Sequence, residues 1–125
     1  MTKSFQLAVL LLCIKINSSA QDTRLLRFPD ISANKIVFSY AGDLWTVERS
    51  GGKAVRLTSF PGIETNPHFS PDGSMIAFSG SYGNNTDVYL IPASGGTPKR
   101  LTWHPGYDVV TGWSPDGKII FLPTL

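Results

Sequence analysis

The sequence predicts an all-β chain: a β-propeller fragment with about two four-stranded blades and the start of a third, preceded by a signal peptide. The first observation behind this is a repeat at a fixed step of 44 residues. Asp43 recurs as Asp87, Gly51-Gly52 as Gly95-Gly96, Leu57-Thr58 as Leu101-Thr102, Pro61-Gly62 as Pro105-Gly106, and Ser70-Pro71-Asp72-Gly73 as Ser114-Pro115-Asp116-Gly117. The second is the length of that step, which suits stacked sheet units that cannot bury their own faces alone. The third is the alternation of short apolar stretches with Gly, Pro, Ser and Asp clusters, with no 3.6-residue apolar period. Helix content is expected to be close to nil.

The elements follow in order. Leu7 to Ile14 is a short apolar run after Lys3, and a polar stretch then ends in Ser18-Ser19-Ala20. A bilayer span needs about 20 apolar residues, so residues 1–20 read as a signal peptide cut after Ala20. An uncleaved anchor is the rival reading. A lipoprotein box at Cys13 is disfavoured because Leu12, directly before it, is not small. Cys13 is the single cysteine, so the mature chain must be held by packing rather than disulfides.

Residues 21–125 form the partial propeller, with copies at about 28–65, 66–109 and 110–125. In the middle copy a short first strand ends at Phe69-Ser70, and Ser70-Pro71-Asp72-Gly73 reverses the chain. Pro presets the dihedral at the second turn position, Asp bonds nearby amides, and Gly accepts a positive φ. Met75-Ile76-Ala77-Phe78 is the second strand, its unbroken apolar run implying burial on both faces. Asp87 to Ile91 is the third, Gly95-Gly96 the next hairpin, and Pro98 to Thr102 the outer edge, where a missing N–H is harmless. The first copy repeats these elements at Ile36-Val37-Phe38, Asp43 to Val47 and Val55 to Thr58. The third begins at Gly112-Trp113-Ser114. An unstacked blade leaves on the order of 300 Å² of apolar surface per face, about 8 kcal/mol of lost burial. Against a domain stability of about 5–15 kcal/mol, the chain is therefore expected to be part of a longer one, and residues 21–125 alone to be poorly folded.

Removing the leader takes Lys3 and Lys15 away, leaving nine basic and nine acidic residues. No basic stripe remains for phosphates, so nucleic acid is an unsupported partner. No later segment is apolar enough to span a membrane.

Ile36 to Trp45, Gly51-Gly52, Arg56-Leu57-Thr58 and Phe69-Ser70-Pro71-Asp72-Gly73 resemble the propeller repeat of TolB and the tricorn-type serine proteases. The block Leu26-Arg27-Phe28-Pro29-Asp30 and the paired Leu-Thr-x-x-Pro-Gly runs at 57–62 and 101–106 look especially like a tricorn-type start. The resemblance implies a non-catalytic part of an exported, periplasmic or secreted serine peptidase, guiding peptides or proteins toward a serine nucleophile in a separate C-terminal domain. It leaves open a homo-oligomer of the full-length protein, a TolB-like propeller docking envelope proteins, and the propeller part of another exported hydrolase.

No catalytic, cofactor or metal residue is expected here. His68, Ser70 and Asp72 have triad residue types, but Ser70 opens a tight turn and position 68 becomes Gly112 in the next copy. Gly112-Trp113-Ser114-Pro115-Asp116 fails as a nucleophile elbow, because Pro115 lacks the amide such an elbow uses. His104 lies too far along the chain from His68 to suggest a metal pair. Trp45 and Tyr89, equivalent by the repeat, read as blade packing rather than a ligand platform. Arg56 and Arg100 read as surface or interblade contacts, with peptide-carboxylate binding as the alternative. Asn84-Asn85-Thr86 is a glycosylation sequon that matters only in a eukaryotic secretory pathway.

Overall fold

The computed structural model describes residues 25–124; the expected signal peptide, Cys13 included, lies outside the described residues. Among the described residues the elements are ten β-strands. The first four are β1 (Arg27–Ile31), β2 (Lys35–Tyr40), β3 (Asp43–Glu48) and β4 (Val55–Arg56), and they form an antiparallel sheet in sequence order. Next come β5 (Ile63–Phe69), β6 (Met75–Ser81), β7 (Thr86–Pro92) and β8 (Lys99–Arg100), each antiparallel to its predecessor. The hairpin of β9 (Tyr107–Trp113) and β10 (Ile119–Thr124) joins this second sheet through one parallel bridge, Thr86↔Tyr107. The arrangement is thus two four-stranded units and a splayed hairpin, as the repeat requires. Among the described residues no helix is long and apolar enough to cross a membrane.

The inner strands start earlier than the apolar pattern suggests. β5 begins at Ile63 and β9 at Tyr107, so the copy boundaries drawn at 66 and 110 fall inside strands. Repetition determines a period but no phase, and Pro67 hides β5 by interrupting it. The structure accommodates that proline in a bulge between Thr65 and His68, with Asn66 at a φ of 52°. Phe28, before Pro29, does the same in β1, where the register shifts between Arg27 and Asp30.

Two apolar seams hold the sheets together. Val37 and Leu44 of the first sheet meet Phe69, Ile76, Phe78, Ile91 and Ala93 of the second. On the far side Ala77 and Val88 meet Val110, backed by Leu90, Leu101, Trp113 and Ile119. Period-2 alternation along β6 sends Ile76 and Phe78 into one seam and Ala77 into the other, which is why its apolar run is continuous. Beyond the seams, Ile120, Leu122, Leu25, Leu26 and Ile31 are exposed.

Candidate functional site

The most developed polar site sits at the first seam and centres on Glu64, which β5 delivers with no solvent exposure. Its carboxylate oxygen Oε2 accepts the Thr58 hydroxyl, and also the Leu44 amide at 3.2 Å. Its other oxygen, Oε1, accepts the Tyr82 phenol at 2.6 Å. The backbone joins in: Glu64 N–H donates to Gly42 O at 2.9 Å, and Ser39 Oγ donates to Glu64 O at 2.9 Å. One residue of the second unit thereby binds β2, β3 and the loop after β4. Burial pushes the Glu64 carboxyl above its ordinary value of 4.5, opposed by bonds from Thr58, Tyr82 and Leu44. Burial, then the neighbouring Glu64, raises the Tyr82 phenol.

Tyr82 also walls an apolar groove of about 330 Å³ lined by Phe60, Pro61, Tyr82, Tyr89, Thr97 and Pro98. Phe60 meets Tyr82 edge-on at 6.2 Å, Tyr82 meets Tyr89 edge-on at 4.9 Å, and Tyr89 stacks on Phe78 at 5.7 Å. The two tyrosine rings lie over Gly80, where an added Cβ would come within 2.8 Å of both. Three aromatic faces and two prolines form a surface suited to an apolar or proline-containing segment.

The residues singled out from sequence are dispersed. Ser70 Oγ donates to Asp72 Oδ1 at 2.7 Å and accepts the Met75 amide at 3.0 Å, so its hydroxyl is committed to the turn. Hydrogen bonds, led by that from Ser70, hold Asp72 down at about 2. His68 faces a different partner, with Nδ1 at 3.9 Å from Asp30 Oδ2. Ser114 and Asp116 repeat the turn, with Lys118 N–H donating to Ser114 Oγ.

Arg56 and Arg100 make matching forks. Arg56 pairs with Asp43 at 2.5 Å and donates Nε–H to Thr58 O; Arg100 pairs with Asp87 at 2.7 Å and donates Nε–H to Thr102 O. Their strongest donors are thus committed within their own units. Trp45 and Tyr89 occupy equivalent cross-strand rows, Phe38–Trp45–Arg56 and Phe78–Tyr89–Arg100. Trp45 packs on Tyr40, whereas Tyr89 reaches the groove. Asn84 is exposed, and its neighbour Asn85 bridges Asp87, His104 O and Gly106 N. His104 lies 3.4 Å from Asp108. Among the described residues no group of three or more His, Cys, Asp or Glu side chains is placed to hold a metal.

Sequence reasoning passed over Glu64, Tyr82 and Asp108. One available signal was the recurrence of an acid six residues after each Leu-Thr threonine, Glu64 after Thr58 and Asp108 after Thr102.

The tricorn protease N-terminal β-propeller domain family matches residues 23–124. The Tol-Pal system protein TolB of Francisella tularensis is 41% identical over 56 residues, covering 41% of this chain and 13% of that protein. The tricorn protease of Thermoplasma volcanium is 34% identical over 64 residues, covering 51% of this chain and 6% of that protein. Among solved structures, a tricorn protease superposes with a TM-score of 0.70 at 33% identity, over 78% of this chain and 10% of that one. TolB from Acinetobacter baumannii superposes at 0.66 with 30% identity, over 78% and 26%. The chain therefore spans only a small part of these relatives' length. It belongs to the family of tricorn protease N-terminal β-propeller domains.

Proposed function

We propose that this chain is a non-catalytic propeller segment of an exported tricorn-like serine peptidase, where it scaffolds the molecule and receives peptides on their way to a separate active site. The family match over residues 23–124 carries this reading. Two structural features support it. The serine, histidine and aspartate near the Ser70 turn are separately engaged, with Ser70 on Asp72 and His68 toward Asp30. The groove of Phe60, Tyr82 and Tyr89 offers a neutral aromatic rim to extended apolar segments.

The test is activity and labelling. The purified chain is expected to leave fluorogenic peptides intact and to escape fluorophosphonate labelling, whereas the full-length protein reacts at a serine outside residues 1–125. Peptide hydrolysis by the chain itself overturns the proposal. For export, the product recovered from a bacterial envelope fraction is expected to begin at Gln21. A second reading, a TolB-like propeller docking envelope proteins, is favoured by the 41% identity with Francisella TolB. Capture of an envelope lipoprotein by a full-length protein inert to fluorophosphonate selects it.

A further inference from the structure

Beside the apolar core of the first seam, a cleft of about 190 Å³ opens between the β3–β4 hairpin and the turn after β7. Val55 and Leu57 line one side of it and Ala93 the other. Thr46, only 6% exposed, also lines it, and its hydroxyl takes no hydrogen bond among the described residues. Lys35, half-buried, and Lys53, exposed, flank it, with Glu48 and Ser94 at the rim. Lys53 pairs with no acid among the described residues, and Lys35 Nζ lies 3.8 Å from Glu48 Oε1. An ammonium–carboxylate hydrogen bond is about 2.7–2.9 Å long, so both ammonium groups keep their donors for another acceptor.

The repeat shows that blade packing does not call for these polar groups. The cross-strand pair Lys35↔Glu48 corresponds to Met75↔Pro92 in the second unit, and Val37↔Thr46 to Ala77↔Leu90. Leu90 packs against the second seam. Where the second unit has methionine, leucine and proline, the first has lysine, threonine and glutamate. A buried hydroxyl without a partner is costly, and a group entering the cleft supplies the partner that the fold does not.

Size and chemistry narrow what that group is. Drug-sized ligands occupy about 300–1,000 Å³, so this cleft takes a single side chain. The main-chain donors beside it are spent, Ala93 N–H on Ser74 O and Gly95 N–H on Pro92 O. A chain terminus would bring its own amide and find nothing to bond it, whereas methylenes suit the apolar sides. Two cations against one exposed acid favour a negative head. The other charges nearby are engaged: Arg56 holds Asp43, and Asp72, across an adjoining hollow that Lys35 also lines, is held by Ser70 and Ser74.

We propose that the Lys35–Thr46–Lys53 cleft receives the side chain of a glutamate in an extended peptide. Its methylenes lie among Val55, Leu57 and Ala93, and its carboxylate takes the Thr46 hydroxyl and the charge of the two lysines. The inference names a peptide class for the receiving role proposed above and rests on that role.

The test is ligand-observed saturation-transfer NMR on the full-length protein, treated with fluorophosphonate beforehand so that peptides stay intact. The probe is the acetylated, amidated peptide Ala-Ala-Glu-Ala-Ala. Transfer is expected at the glutamate methylenes, with binding about ten-fold tighter than that of the glutamine counterpart, the ratio one charge-assisted hydrogen bond produces. Thr46→Val and Lys35→Met are each expected to erase that preference without lowering the melting temperature. Should either fail to fold, Glu48→Gln, at an exposed position, carries the test: it removes a competing acid and is expected to tighten the glutamate peptide alone. Equal binding of the two peptides, equal binding of an all-alanine peptide with a free C-terminus, or no gain in Glu48→Gln each overturns the site. A protein that fluorophosphonate labels but that shows no glutamate preference sinks the cleft alone. A glutamate preference in a protein that escapes labelling supports the cleft and overturns the peptidase reading instead.

Discussion

Tyr82 and Glu64 lie eighteen residues apart in sequence, yet the phenol donates to the buried carboxylate at 2.6 Å. That bond ties the loop after β6 to the start of β5 and leaves the ring standing as a wall of the aromatic groove. The same residue thus stabilises the first seam and shapes the surface most suited to a ligand.

Replacing Tyr82 with phenylalanine separates the two roles. The ring and the groove remain, while the buried Glu64 carboxylate loses one of its three hydrogen-bond donors, the other two being the Thr58 hydroxyl and the Leu44 amide. The expected cost is about 1–3 kcal/mol, the penalty for an unsatisfied buried polar group. It is read as a lower denaturant midpoint with an unchanged slope; an unchanged midpoint shows the bond to be idle.

Thr58 and Thr102 offer an internal control. Each hydroxyl accepts the amide of a third strand, Leu44 in one case and Val88 in the other, but only Thr58 also donates to a carboxylate. Thr58→Val is therefore expected to cost more than Thr102→Val, by about 1 kcal/mol for the additional hydrogen bond. Equal losses in parallel denaturant titrations contradict the distinction between the seams.

Two groups predict opposite limbs of the pH profile. Glu64 is raised above 4.5 in the folded chain, so its contribution is complete below that pH and lost as pH climbs through the raised value. Asp72 is lowered from 3.8 to about 2, so its contribution is complete above pH 3.8 and lost on acidification toward 2. Melting temperature is expected to peak in mild acid. Glu64→Gln should flatten the alkaline side, and Asp72→Asn the acid side. A Glu64→Gln profile that still falls identically above pH 4.5 refutes the assignment.

The sequence revealed the architecture more fully than the site, for a physical reason. Blade identity resides in local signals: Ser70-Pro71-Asp72-Gly73 makes its own turn bonds, and β6 displays its two-sided burial as an unbroken apolar run. Glu64 resides in contacts with Leu44, Thr58 and Tyr82, from six to twenty residues distant, and no local pattern marks it. Its surroundings, Ile63-Glu64-Thr65-Asn66-Pro67, show no strand pattern in sequence, because a bulge is needed to seat the proline in β5. Arg56 and Arg100 read from sequence as surface or interblade contacts, whereas the geometry has them clamping Asp43 and Asp87 within their own sheets.

Gly80 provides the sharpest packing test. It lies within β6, and its backbone is one that an ordinary residue adopts, so conformational strain is not the obstacle. The obstacle is room: an added Cβ would come within 2.8 Å of the Tyr82 and Tyr89 rings. Neither ring can simply swing aside, since Tyr82 is bonded to Glu64 and Tyr89 is stacked on Phe78. Gly80→Ala is expected to cost about 1–3 kcal/mol, as overpacking of a filled site does. Tyr82→Phe releases the tether and lets that ring give way. The double substitution should therefore cost less than the sum of the two single ones, a coupling visible in a double-mutant cycle. Strict additivity shows that the tether to Glu64 does not fix the ring over Gly80.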